Sequence, residues 1–331
     1  MTEKELKSID RVGEEQLSSI VRNSLGWQVT IVDCHHIPAG HNNTLYDIRT
    51  LNPAHHVVLR IAANEDQPLR RYEHERTIML AEPFKYDLMR KAGVPTARVL
   101  AMDGSRSIIE RDYIIVDYID AVPMNHPSVP AEARPHIMRE VGRYTALMHG
   151  ITADKFGWIT SDGSIKGSES WAEVFGELIS EAYAKWLDAE MIGSAEVDAA
   201  LDCYWKHRSI FDECRVPAFV HNDIWDPNIM VNQKNGSWRI EAIIDTDGAM
   251  FADRELEFVI WEGADKDFLS GYGGSIDSSA NAALRRKFYR MQLYMQYSWF
   301  YLVHSMDSGF QVTTKNIVMD ILKELLNREG R

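Results

Sequence analysis

Residues 219–257 (FVHNDIWDPNIMVNQKNGSWRIEAIIDTDGAMFADRELE) constrain this chain more than any other stretch. Apolar Ala218-Phe219-Val220 reads as a strand delivering a polar loop, in which His221-x-Asp223 is followed five residues later by Asn228. Residues 228–232 and 239–244 read as two short strands, with Asn235-Gly236 between them as a hairpin turn signal. Such a hairpin brings Asn228 and Asp245 near each other, on the edge that also carries Asp223. Two oxygen ligands converging beside a further carboxylate suit phosphoryl transfer. The ligands hold Mg²⁺ against ATP phosphates, and the third carboxylate positions an attacking hydroxyl and receives its proton. Each of these residues alone would serve as an ordinary turn former. Their joint spacing favours the catalytic arrangement.

HNDIWDPN followed by IIDTDGAMFAD resembles the catalytic and metal-binding segments of the aminoglycoside phosphotransferase family, within the protein-kinase-like fold. The family pattern is H-G-D-x-H-x-x-N, then I-D-[FW]-x-x-A-x-x-G-D. His221, Asp223, Asn228, Asp245, Ala249 and Asp253 fall on it. Asn222 and Ala252 stand where glycine is usual, Trp225 where histidine is, and Thr246 where an aromatic is. The resemblance covers residues 30–262. It implies an α+β, two-lobed fold, with a smaller antiparallel-sheet lobe carrying one packed helix and a larger, mainly helical lobe. The expected division is a nucleotide-binding lobe over residues 1–118 and a catalytic and substrate-binding lobe over 119–331.

The resemblance further implies an ATP- and Mg²⁺-dependent phosphotransferase acting on a small-molecule hydroxyl. Asp223 would be the catalytic base, His221 would organise its loop, and Asn228 and Asp245 would bind the metal. The leading acceptor is an aminoglycoside or aminocyclitol antibiotic. Alternatives are a metabolite kinase of the choline, homoserine or aminosugar type, or a catalytically silent kinase-like binding protein. His221-Asn222-Asp223 also resembles the H-N-D of choline and ethanolamine kinases. The residues after Asp245 fit the antibiotic-modifying group better, because choline kinases prefer I-D-[YF]-E there.

Upstream, residues 29–33, 45–49 and 56–61 read as successive strands behind one or two helices within 3–25 capped by Gly26. Gly40-x-x-Asn43-x-x-Tyr46-x-Ile48 resembles the family's looser nucleotide-covering turn, although the same residues suit a plain hairpin loop. Arg60, in Val57-Val58-Leu59-Arg60, occupies the position at which the family holds the α/β-phosphates. Its expected carboxylate partner is Glu75, on a helix over residues 69–80 with a break near Pro83. Strands are expected over 94–100 and 113–119. The resemblance puts the interlobe hinge at Asp117-Tyr118-Ile119, where main-chain groups of Asp117 and Ile119 would meet the adenine edge. Helices are expected over 137–149, 171–192, 195–211, 280–302 and 317–326.

Beyond Asp245 the chain is dense in carboxylates. Asp253 matches a family position that braces the catalytic loop, and Glu257 stands where an aspartate is usual; with Glu262 and Asp265 they are the candidate substrate ligands, since antibiotic-modifying relatives bind ammonium groups in this region. A solvated helix face accounts for them equally well. The net charge of −13 over 331 residues argues against nucleic acid and suits a cationic acceptor. Three cysteines at unrelated spacing suggest neither a disulfide framework nor a zinc site. The beginning of the chain shows no apolar signal segment, and no stretch reads as a membrane span, so the expected location is the cytoplasm.

Overall fold

The computed structural model describes residues 11–38, 43–64, 73–260, 265–304 and 306–329, without the side chains of 73–77 and 328–329. In chain order the elements are α1 (Glu14–Leu25), β1 (Thr30–Ile37), β2 (Asn43–Leu51), β3 (His55–Ala62), α2 (Glu73–Lys91), β4 (Val99–Asp103), β5 (Tyr113–Asp117) and β6 (Val122–Pro123). There follow α3 (Arg134–His149), β7 (Phe156–Ile159), β8 (Ile165–Ser168), α4 (Trp171–Asp188), α5 (Ser194–Lys206), α6 (Arg208–Phe211) and β9 (Ala218–Val220). The chain continues with β10 (Ile229–Lys234), β11 (Ser237–Ile243), β12 (Met250–Ala252), α7 (Lys266–Tyr272), α8 (Ala280–Val303) and α9 (Ser308–Glu329). None of the described helices is long and apolar enough to cross a membrane.

The chain divides into two compact units: Met1–Ile137 with Ile159–Ser164 and Trp225–Gly248, and the remainder. This differs from the expected cut at 118/119. The hairpin β10–β11 returns to the first unit because β10 pairs with β6 in a three-stranded sheet. The principal sheet of that unit has the order β1-β2-β3-β5-β4 and is antiparallel throughout. Alternation is plain in β2, where Tyr46, Ile48 and Thr50 are buried between half-exposed or exposed neighbours. Leu17, Ile20 and Val21 of α1 pack with Ile48, Val57, Leu59, Ile61, Tyr113 and Ile115 in one apolar core.

Helix α2 runs through Pro83 to Lys91 instead of ending near residue 80. Proline removes one helical hydrogen bond at about 3 kcal/mol, so tertiary contacts must sustain the helix. Glu82, Lys85, Tyr86 and Met89 are all buried, at the i, i+3, i+4, i+7 spacing of a single helix face. The β10–β11 hairpin turns through Asn235 (φ 51°) and Gly236 (φ 79°), the left-handed pair its two-residue loop requires.

The second unit is mainly helical, with a four-stranded sheet of order β8-β7-β12-β9. Its core is a nest of rings from α4, α5, α6 and α8. Phe175 stacks on Phe211 at 5.3 Å, Tyr289 meets Phe175 edge-on at 4.9 Å, and Tyr204 lies 5.0 Å from Phe211. Helices α3 and α7 touch main chain to main chain. A Cβ on Gly142 would fall 2.0 Å from the Phe268 carbonyl oxygen, and one on Gly271 would fall 1.9 Å from that of Arg139. Backbone cannot yield as a flexible side chain does. Gly142→Ala and Gly271→Ala are each expected to destabilise the protein by about 1–3 kcal/mol or more, read as a lower denaturation midpoint in urea.

Candidate active site

In the first unit, the hairpin register carries the two sequence-predicted metal residues to adjacent positions. Ile229 pairs with Ile243, and the Ile244 N–H donates to the Asn228 carbonyl at 3.0 Å, so Asp245 follows one residue beyond. Arg60 of β3 donates through Nη1 to Glu82 Oε2 on α2. Its Nη2 lies 3.5 Å from Asp245 Oδ1 and 4.0 Å from Asp247 Oδ1. Lys85 Nζ donates to the Thr246 and Asp247 carbonyl oxygens at 2.8 and 3.2 Å. The Asp245 N–H donates to the Tyr86 hydroxyl at 3.1 Å.

Three carboxylates thus share one pocket of charge with two cations. Burial pushes the Glu82 carboxyl up to about 8 against the pull of Arg60, with Asp247 and Asp245 adding to the rise. Desolvation, then Asp247, lifts Asp245 to about 6, against Arg60 and Lys85. The Lys85 ammonium is pushed down by burial to about 8, although all three carboxylates oppose that shift. Asp245 Oδ1 and Asp247 Oδ1 are shut from water without a hydrogen-bond donor, even though 42% of the Asp245 side chain is open. Orphaned carboxylate oxygens of this kind call for a cation. Among the described residues no three His, Cys, Asp or Glu side chains form a metal-holding group. Mg²⁺ needs no such cage: one or two carboxylates hold it, and phosphate oxygens and waters complete its shell. The donor set Asp245, Asp247 and Asn228 fits a magnesium–nucleotide complex.

In the second unit, β9 ends at Val220 and the loop carrying Asp223 is braced from within. Glu257, fully buried, accepts the His221 N–H at 2.7 Å on Oε2 and the Asn222 N–H at 3.0 Å on Oε1. Asn222 adopts φ 58°, a left-handed conformation that asparagine tolerates better than most residues. That accounts for both the glycine usual at this position and the asparagine found here. His149 adds to the brace, its Nδ1 hydrogen-bonded to the Tyr272 hydroxyl at 2.9 Å and its Nε2 3.8 Å from Glu257 Oε2. Asp223 itself is half-buried. Burial and then the Asp223 charge push the Tyr297 hydroxyl of α8 upward.

Residues 33–261 match the profile of the phosphotransferase enzyme family. The chain belongs to this family. Among curated proteins none matches it. Its fold is that of a putative fructosamine-3-kinase from Haemophilus somnus 129PT, at 16% identity over 93% of this chain and 97% of that one, with a TM-score of 0.67. A thermostable mutant of aminoglycoside phosphotransferase APH(4)-Ia is similar at 17% identity over 93% and 98%, with a TM-score of 0.67. A further mutant of that protein, in ternary complex with AMP-PNP and hygromycin B, is similar at 15% identity over 93% and 98%, with a TM-score of 0.66. The fold is protein-kinase-like, an antiparallel-sheet lobe with a mainly helical lobe. The protein is a phosphotransferase acting on small-molecule hydroxyls.

The remaining sequence-predicted residues are placed as follows. Asn43 opens β2, opposite Ala62. Gly40, Glu262 and the Glu75 side chain lie outside the described residues. The carboxylate on Arg60 is Glu82, which sequence reasoning passed over because Pro83 suggested a break. Counting back three helical turns from Gly93 would have found it. The Asp117 N–H donates to the Arg98 carbonyl, and that of Tyr118 to the His56 carbonyl; the Ile119 carbonyl accepts from Ala121. Asp253 is buried, with Oδ2 taken by Arg285 Nε at 3.0 Å and the Tyr289 hydroxyl at 2.8 Å. Asp253 and Glu257 are thus both engaged inside the second unit, as the family position implied for Asp253. Asp265 is exposed but caps α7, accepting the Asp267 N–H at 2.7 Å.

The raised carboxyl of Asp245 has a consequence for stability. An acid whose folded-state value exceeds its unfolded one favours the fold when protonated, and that benefit is lost as pH rises through about 6. Asp245→Asn tolerates the same left-handed backbone (φ 66°) and removes the repulsion with Asp247. Without metal, this variant is expected to melt above the wild type at pH 8, with the gap closing towards pH 5. Thermal unfolding at the two pH values checks it. A lower melting temperature at pH 8 would refute the unfavourable electrostatics assigned to Asp245.

Proposed function

We propose that this phosphotransferase moves the γ-phosphoryl group of ATP, with Mg²⁺, onto a hydroxyl of an amine-bearing sugar-like molecule. An aminoglycoside or aminocyclitol antibiotic is the first candidate. The observation that carries the reading is the pair of orphaned carboxylate oxygens on Asp245 and Asp247, beside Arg60 and next in register to Asn228. Bound there, the metal would neutralise phosphate charge. Asn228, Asp245 and Asp247 would hold it, and Arg60, fixed by Glu82, would meet the phosphates. Asp223 would orient the acceptor hydroxyl and take its proton as the new O–P bond forms and the bond to the departing ADP oxygen breaks. Glu257 would keep Asp223 on station by fixing the two preceding amides.

APH(4)-Ia is seen with hygromycin B and another relative with kanamycin, which supports an aminoglycoside acceptor. A second reading, a kinase of an amine-bearing sugar metabolite, is favoured by the internal use of Asp253 and Glu257. With those two carboxylates committed, fewer remain for a polycation. The putative fructosamine-3-kinase among the similar structures supports the same reading.

Asp223→Asn is expected to lower turnover by about 100- to 10,000-fold, the usual contribution of a general base, while leaving the dissociation constant for Mg-ATP essentially unchanged. Coupled-assay kinetics and calorimetric titration read the two quantities separately. Near-normal turnover would remove Asp223 from the role of base. The acceptor is found by ATP- and Mg²⁺-dependent transfer across hygromycin B, kanamycin, choline and glycated lysine. Turnover of glycated lysine alone would favour the metabolite reading, and turnover of hygromycin B or kanamycin the antibiotic one.

A further inference from the structure

Lys85 lies on the buried face of α2, 1% exposed, three residues after Glu82. Burying an ammonium group is costly unless its donors are satisfied by something fixed. Its partners are two successive main-chain carbonyls, Thr246 at 2.8 Å and Asp247 at 3.2 Å. These immediately follow Asp245, which sits at φ 66° in a conformation that side chains other than glycine rarely adopt. The next residue of the helix, Tyr86, accepts the Asp245 N–H at 3.1 Å. Helix α2 therefore grips main-chain groups of three consecutive residues of this loop, through Tyr86 at Asp245 and through Lys85 at Thr246 and Asp247. A methionine would fill the same volume without any desolvation penalty. What the lysine adds is hold on the backbone, together with a positive charge beside Asp247, Glu82 and Asp245.

We propose that Lys85 is a positioning residue for phosphoryl transfer, clamping residues 245–247 so that the carboxylates of Asp245 and Asp247 stay aimed at a magnesium–nucleotide complex. The inference rests on the metal-binding reading of Asp245 given above. The contacts of Lys85 are with the loop backbone. It acts through the loop, as Glu82 acts through Arg60 on the same helix.

Lys85→Met in the full chain tests this by three readouts: amide hydrogen exchange of residues 245–248 without ligand, the Mg²⁺ concentration for half-maximal ATP binding, and turnover. Exchange at the loop is expected to accelerate, and the Mg²⁺ requirement to rise by about 10- to 100-fold, as for other residues that orient metal ligands. ATP binding without Mg²⁺ should be unchanged. Lys85→Gln, which keeps N–H donors without charge, should recover part of the Mg²⁺ response. An unchanged Mg²⁺ requirement in the methionine variant overturns the proposal, whatever its melting temperature. Should that variant fail to fold, the glutamine variant decides on the same two measurements. A wild-type protein that binds ATP without any response to Mg²⁺ would instead sink the metal reading. Loop exchange would then still show whether Lys85 holds the loop.

Discussion

The first unit depends on a buried ion pair, Arg60 on β3 with Glu82 on α2, from which the other charges take their places. Glu82 is fully buried and the Arg60 side chain 13% exposed, so each needs the other; removing one partner of such a pair costs about 3–5 kcal/mol. The pair also fixes α2 against the sheet. That placement puts Lys85 and Tyr86 onto the backbone after β11 and leaves Asp245 and Asp247 close to one guanidinium that is already engaged. The resulting excess of negative charge is unfavourable for folding and favourable for binding a cation. Functional sites often carry this kind of conflict, and the surrounding structure offsets it.

The sequence made the hairpin legible because its signals are local. Asn235-Gly236 sets the turn and the turn sets the register as far as Val231 and Ile240; a one-residue bulge between Met230 and Val231 then brings Asn228 beside Ile244. The sheet and the long helices were legible from periodicity for the same reason. Helix α2 was not, and the cause is physical. Three of the six buried residues in its described part, Glu82, Lys85 and Tyr86, are polar, and they sit in the turns around Pro83, which reads as a stop. A turn buried through an ion pair and carbonyl contacts leaves little apolar trace. The unit boundary was missed for a related reason: β6 is two residues long, too short to announce that it would pair with a hairpin far along the chain.

Backbone conformation explains two features of the site loops better than residue similarity does. Asn222 and Asp245 both sit at positive φ, 58° and 66°, one in the loop that carries Asp223 and the other just after β11. Such conformations persist only where neighbours over-determine them. At Asn222 the determinants are the two oxygens of Glu257, which bind consecutive amides. At Asp245 they are Tyr86 on its own amide and Lys85 on the next two carbonyls. Each unit therefore holds its strained residue by its own means, with an acid in one case and a base in the other.

The same accounting changes what the protein's acidity means. A net charge of −13 and a run of carboxylates after Asp245 suggest a surface for cations, but the run is largely architectural. Asp253 binds Arg285 and Tyr289, Glu255 binds Arg286, Glu257 binds the His221 and Asn222 amides, and Asp265 caps α7. A carboxylate whose lone pairs are filled by buried donors has little left for an ammonium group, and moving it would break what it holds. For the amine-bearing acceptor proposed above, counter-charges would have to come from groups other than Asp253 and Glu257.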